Sequence, residues 1–209
     1  GTKVDKKKAC KYYKMAADEG NQFAMYNYAL MLLRGEGVKK NIDMCIEYLE
    51  GAAGLGYKLA MDQLRVVKMK KLKKEADNGN TESMIAYAKM LISGVDKDFD
   101  KAIEYLNKAD EEGDENAKKE LRKTRVLNYK YKADNDDVES MMKYARILEE
   151  GRFGVKKNLK MATKYYNKAY HEGESEAKKC IARVKIISKA DSGDVESMLE
   201  YSNILFLIG

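Results

Sequence analysis

A short pattern recurs along the chain: a glycine or its stand-in, three residues, then a small residue that opens an apolar-periodic run. It occurs as Gly20 with Ala24, Gly56 with Ala60, Gly79 with Ser83, Gly113 with Ala117, Asp136 with Ser140, Gly173 with Ala177 and Gly193 with Ser197. Self-similarity at this length predicts a solenoid, in which each unit is too small to bury its own face and is stabilised by its neighbours. Function then belongs to a surface rather than to a pocket.

Two apolar stripes alternate between these markers. One reads Ala9, Tyr12, Ala16, Gly20, and returns as Cys45, Tyr48, Ala52, Gly56, as Ala102, Tyr105, Ala109, Gly113 and as Ala162, Tyr165, Ala169, Gly173. Spacings of three and four place these side chains on one helical face, and the closing glycine supplies the left-handed residue that ends a helix. This is the second helix of each pair. The first runs through Ala24, Tyr28, Ala29, Leu32 and Gly35, through Ser83, Tyr87, Ala88, Leu91 and Gly94, and through Ser140, Tyr144, Ala145, Leu148 and Gly151; a fourth copy starts Ser197, Tyr201, Ser202, Leu205. Ala29, Ala88, Ala145 and Ser202 are expected where backbones approach closely, and the tyrosines fill the neighbouring gaps.

Intervals between closing positions alternate long and short. Long units contain a loop, as at Gly35 to Asn41 and Gly151 to Asn158, whose glycines make the turn between antiparallel helices. Segments 58–77, 115–134 and 175–191 contain neither Gly nor Pro, so each is predicted as one long or bent helix. The module is thus a triplet of helices, with Met84, Met141 and Met198 marking its period. Acidic pairs such as Asp136-Asp137 fall at helix junctions, where Asp136 is expected also to cap the next helix.

These residues carry a family resemblance. A small residue, Tyr, Ala, then Gly-x-Gly-Val, a polar run and Ala-x-x-Tyr-Tyr-Lys-Met-Ala-Ala-Asp-Glu-Gly is similar to the Sel-one-like repeat (SLR) family, relatives of tetratricopeptide repeats. The resemblance is close over 11–50 and 138–173. The short units lose the loop, and the unit at Ser83 has Gly94-Val95-Asp96-Lys97-Asp98 in place of Gly-x-Gly-Val. The implied fold is all-α, a right-handed α-α superhelix of stacked helical hairpins with alternating long and short repeats. Residues 1–209 are expected to form a single solenoid domain of units 1–20 (partial), 21–56, 57–79, 80–113, 114–136, 137–173, 174–193 and 194–209 (partial). Gly1-Thr2-Lys3-Val4 resembles the tail of the loop, and the run Leu205 to Gly209 lacks a second helix, so the chain is expected to be part of a longer array.

Composition narrows the function classes. With 44% hydrophobic residues the chain is not disordered, and its longest apolar stretch, Ile204 to Ile208, is too short to cross a bilayer, so no membrane insertion is expected. The net charge of +6 arises from 40 Lys and Arg against 34 Asp and Glu, with signs interleaved along segments such as 101–120. That pattern reads as a solvated face and argues against direct nucleic-acid binding. Cys10, Cys45 and Cys180 form no Cys-x-x-Cys pair, and small buried thiols in a reducing, cytoplasmic compartment are expected.

Catalytic chemistry lacks converging groups. The single histidine, His171, stands where sister units carry Asp18 and Glu111, and it reads as a solvent-exposed residue near a helix end. His-containing zinc motifs and Ser-His-Asp arrangements fall with it. The glycines of the loops follow helices and lack a Walker Lys-Ser/Thr, and no calcium-ligand ladder is present. No enzyme activity, cofactor or metal is expected.

Comparing copies within the chain locates a candidate surface. Positions equivalent to Asn27 become Ala86, Lys143 and Glu200, and those equivalent to Leu30 become Lys89, Arg146 and Asn203, while Tyr26, Ile85, Met142 and Leu199 stay apolar beside them. The family resemblance implies that the first helices line the concave side, where peptides or partner helices are received. Tyr26, Asn27, Leu30, Lys89, Lys143, Arg146 and Asn203 are therefore the expected partner-binding residues of a non-enzymatic scaffold or adaptor. The alternative is a structural component packed inside a large multiprotein assembly.

Overall fold

The computed structural model describes residues 5–94 and 96–208, without the side chains of Leu207 and Ile208. Gly1–Val4, read above as a loop tail, and Val95 lie outside the described residues. The described residues form eleven α-helices: α1 (Lys6–Asp18), α2 (Gln22–Arg34), α3 (Ile42–Gly54), α4 (Lys58–Asp77), α5 (Thr81–Ser93), α6 (Phe99–Glu111), α7 (Glu115–Asp134), α8 (Val138–Glu150), α9 (Leu159–His171), α10 (Glu176–Asp191) and α11 (Val195–Ile208). The three segments free of Gly and Pro are each one helix: α4, α7 and α10.

The helix ends follow from local chemistry. Asn21 and Asn41 accept backbone hydrogen bonds at the starts of α2 and α3, and Asp98, Asp114 and Asp137 do so at α6, α7 and α8. Each satisfies amide donors that have no partner inside the helix. The cap of α8 is Asp137, whose Oδ1 accepts from the Ser140 amide at 2.8 Å, and not Asp136. Asp136 is unsuited to that task because it takes the left-handed conformation, φ +66°, that glycine takes at the six equivalent markers. Its carboxylate instead meets Lys168 at 3.1 Å.

Two compact units divide the chain, one ending at Met90 and the other beginning at Leu91. In the first, α1, α2, α3 and α4 each pack on the next; in the second, α6 to α11 do the same. Each unit is a stretch of α-solenoid whose interior is built from the stripe residues. Ala29, Cys45, Leu49, Ala52 and Ala60 are wholly buried in the first, and Ala145, Ala162, Tyr166, Ala169 and Ala177 in the second. Tyr28, Tyr87, Tyr144, Tyr105 and Tyr165 are buried too, as the solenoid requires. Rings of paired helices meet edge to face: Tyr28 with Tyr48 at 4.8 Å, and Tyr144 with Tyr165 at 5.1 Å. Three stripe positions depart from the expectation, one of them Leu205, which is 55% exposed. Tyr12 is 59% exposed, and Ser202 is exposed, its hydroxyl donating to the Met198 carbonyl.

Polar ties cross the hairpins. The Tyr48 hydroxyl donates to Asp18 at the end of α1 at 2.7 Å, and the Tyr165 hydroxyl donates to Asp134 at the end of α7 at 2.6 Å. A carboxylate at a helix C-terminus opposes the helix dipole, and here Lys14 and Lys130, one turn earlier, offset that cost. A deeper cluster joins three helices of the second unit. Glu149 of α8, 5% exposed, accepts from the Tyr166 hydroxyl of α9 at 2.8 Å and from Arg183 of α10 through Nε at 2.6 Å and Nη2 at 2.8 Å.

Candidate partner-binding surface

Helix α8 presents a groove of about 650 Å³ in the second unit. Its apolar lining comes from Tyr129 of α7, Val138, Met142 and Ile147 of α8, and Phe153 of the following loop. Phe153 reaches it because the loop backbone there is left-handed, φ +56°, which leaves the ring 52% exposed. Three of the four charged α8 residues that line the groove are paired: Lys143 bonds Glu139 at 2.5 Å, and Glu150 holds Arg152 at 2.8 Å. The Lys143 ammonium also lies 5.3 Å from the Tyr129 ring centroid. The bond to Glu139, and after it the field of Tyr129 and Glu139, keeps the Lys143 pKa above its ordinary value. Arg146, one turn further along the same lining, is exposed and has no carboxylate partner among the described residues. The groove thus offers an unpaired guanidinium beside apolar and aromatic surface, a combination that holds a carboxylate together with a hydrophobic side chain.

Of the seven sequence-predicted residues, Lys143 and Arg146 are brought into this one groove. In the first unit Tyr26 is half-buried, its ring edge to face with Tyr57 at 5.3 Å, so part of its surface is committed to packing α2 on the turn before α4. Asn27 donates its side-chain amide to the Phe23 carbonyl at 2.9 Å and is half-buried, as is Leu30. Lys89 of α5 and Asn203 of α11 are exposed. The apolar rail noted beside these positions is uneven: Ile85 is buried, Met142 packs partly on the core, and Leu199 is 65% exposed.

Sequence reasoning missed Tyr129, Phe153 and the Glu149 cluster. Phe153 carried a signal, because an aromatic between Gly151 and Gly154 has no helical stripe to join. Glu149 carried another, since it occupies the register of Leu33 and Ile92 in sister copies. His171 is exposed at the last position of α9, against the Tyr170 ring. Among the described residues no cluster of three or more His, Cys, Asp or Glu is arranged to hold a metal, and no helix is long and apolar enough to cross a membrane.

Comparison with known proteins gives the family. The Sel1 repeat family matches residues 1–21, 22–57, 81–114 and 138–174, more than half of the chain. Among solved structures, a protective antigen of uropathogenic Escherichia coli strains displaying an SLR fold is 18% identical with a TM-score of 0.33, over 98% of this chain and 53% of that one. The chain therefore spans about half the length of that structure. A Sel1 repeat protein from Oxalobacter formigenes is 25% identical with a TM-score of 0.31, over 80% of each chain. No curated protein matches the chain. Repeats of this type generally mediate protein interactions and are typically non-catalytic. With four matched segments that each follow the hairpin stripes described above, the chain belongs to the Sel1 repeat (SLR) family.

Proposed function

We propose that the chain is a non-enzymatic scaffold or adaptor that receives peptide or protein partners on the concave face lined by the first helix of each pair, with Tyr26, Asn27, Leu30, Lys89, Lys143, Arg146 and Asn203 as contacts. The observation that carries this reading is the α8 groove, where Arg146 stands unpaired beside Tyr129, Met142 and Phe153. Arginine beside aromatic side chains is the composition enriched where partners dock. The three buried free thiols support a reducing compartment such as the cytoplasm.

The test is replacement of Lys89, Lys143 and Arg146 by Glu, followed by crosslink-mapped pull-down and thermal unfolding. Loss of partner capture with an unchanged melting curve supports the site; retained capture rejects it. A second reading, a structural component packed within a large assembly, is favoured by α11, whose Val195, Leu199 and Phe206 are 77%, 65% and 87% exposed. It predicts that crosslinks map to α11 and leave the α8 groove unoccupied.

A further inference from the structure

The net charge of +6 is unevenly distributed. Helices α4 and α7 each carry seven Lys and Arg against three Asp and Glu, and α10 carries five against two. All three helices lie outside the segments that match the Sel1 repeat family.

In the first unit this excess borders a second groove, of about 690 Å³, between the start of α3 and the C-terminal half of α4. Its apolar lining includes Leu33 and Ile42, both half-buried, and Val66, which is 45% exposed. Lys40, Lys70 and Lys74 stand on it, all exposed and all without a carboxylate partner among the described residues. Only Lys71 is neutralised, by Asp43 at 2.5 Å and Glu75 at 3.8 Å. Lys70 and Lys74 lie one turn apart, where like charges repel, and Val66 one turn before them extends the same stripe. An anionic partner would relieve that repulsion while covering the apolar lining.

We infer that this groove docks an acidic amphipathic peptide segment, with carboxylates on Lys40, Lys70 and Lys74 and apolar side chains on Leu33, Ile42 and Val66. A peptide fits better than a nucleic acid on three counts. The apolar lining gives a sugar-phosphate backbone nothing to bury against. No aromatic side chain lines the groove for a base to stack on. Asp43 and Glu75 interrupt the positive surface, which a peptide tolerates by placing a neutral residue there and a continuous run of phosphates does not. The site involves none of the seven contacts proposed above, so it stands or falls independently of them.

The experiment is fluorescence anisotropy with a fluorescein-labelled synthetic peptide of about twelve residues, Leu at helical spacing and Glu between, titrated with the full chain. The expected result is saturable binding that weakens as salt is added, because exposed charges are screened. The triple variant Lys40→Glu, Lys70→Glu, Lys74→Glu weakens it by about tenfold or more, and exchanging the peptide's Leu for Ser also weakens it. Should the triple reversal disturb folding, judged by circular dichroism, the neutral set Lys40→Gln, Lys70→Gln, Lys74→Gln carries the same test. Absence of peptide binding at low salt, unchanged affinity in the folded variant, or tighter binding of a labelled oligothymidylate of equal charge each overturns the inference.

Discussion

Tyr166 and Glu149 are hydrogen-bonded at 2.8 Å inside the second unit, at positions whose counterparts in the first unit are the apolar pair Leu49 and Leu33. Arg183, the third member, corresponds to Val66. One repeat thus uses an ionic cluster where another uses hydrocarbon. Burial first, and then the bond to Glu149, pushes the Tyr166 hydroxyl pKa well above its ordinary value, so the phenol stays a donor across the whole working pH range.

Breaking that cluster costs more than replacing it. Arg183→Met leaves Glu149 buried without its cation, and the expected loss is about 3 kcal/mol in urea unfolding. The triple replacement Glu149→Leu, Tyr166→Leu, Arg183→Val, which copies the apolar counterparts, is expected to be neutral or to gain about 1–4 kcal/mol. A triple variant less stable than the single one contradicts this account.

Two loop glycines separate backbone strain from contact. Gly37 and Gly154 both have left-handed φ, +70° and +79°, but a Cβ at Gly37 would run into the Lys6 carbonyl, whereas none lies within 4 Å at Gly154. Alanine at Gly154 is expected to cost about 1 kcal/mol for the conformation alone. Alanine at Gly37 adds about 1–3 kcal/mol because backbone must move. Equal melting temperatures for the two variants would refute the close approach of this loop to α1.

Acid stability is expected to follow the capping carboxylates. The Ser140 side chain and amide hold Asp137 below the ordinary carboxylate pKa, Ser197 does the same for Asp194, and Lys14 with Tyr48 does so for Asp18. At Asp134 burial acts to raise the pKa, but the bonds from Lys130 and Tyr165 outweigh it and the net shift is downward. A carboxylate depressed in the folded state contributes stability that is complete above its unfolded pKa of about 3.9 and is lost as pH falls through the lower folded value. The melting temperature should therefore drop below about pH 4. Asp137→Asn retains the cap at neutral pH yet loses its share of this acid limb; curves that stay parallel down to low pH would exclude the carboxylate as its source.

Thiol chemistry reports opening of the core. Burial pushes the Cys45 thiol up to about 11 and also raises that of Cys10. With the thiolate scarce and the sulfur enclosed, Cys45 should react with an aromatic disulfide reagent more than about a hundredfold slower in the native protein than in denaturant. Rates within about tenfold of each other would mean that α3 opens readily.

Much of this arrangement was legible because its causes are local. Alanines at spacings of three and four and glycine markers specify helices, ends and packing faces without reference to distant chain, and even Asp136 declared its left-handed role by standing in a glycine register. What escaped was non-local. Glu149 stands in an apolar register, but the partners that hold it there, Tyr166 and Arg183, arrive from two other helices, and Tyr26 looks like surface until Tyr57 closes over it from the turn before α4. The charge excess of α4 was visible as letters, yet averaging signs along segments such as 101–120 concealed it.

The ties from Tyr48 to Asp18 and from Tyr165 to Asp134 each bridge the first and third of three successive helices. A cut placed at a hairpin boundary, such as one before α2, therefore severs a bond that the excised hairpin cannot replace. Domain dissection of this protein has to keep the donor of a tie and its acceptor on the same fragment, which makes the smallest self-sufficient excision larger than the repeat itself.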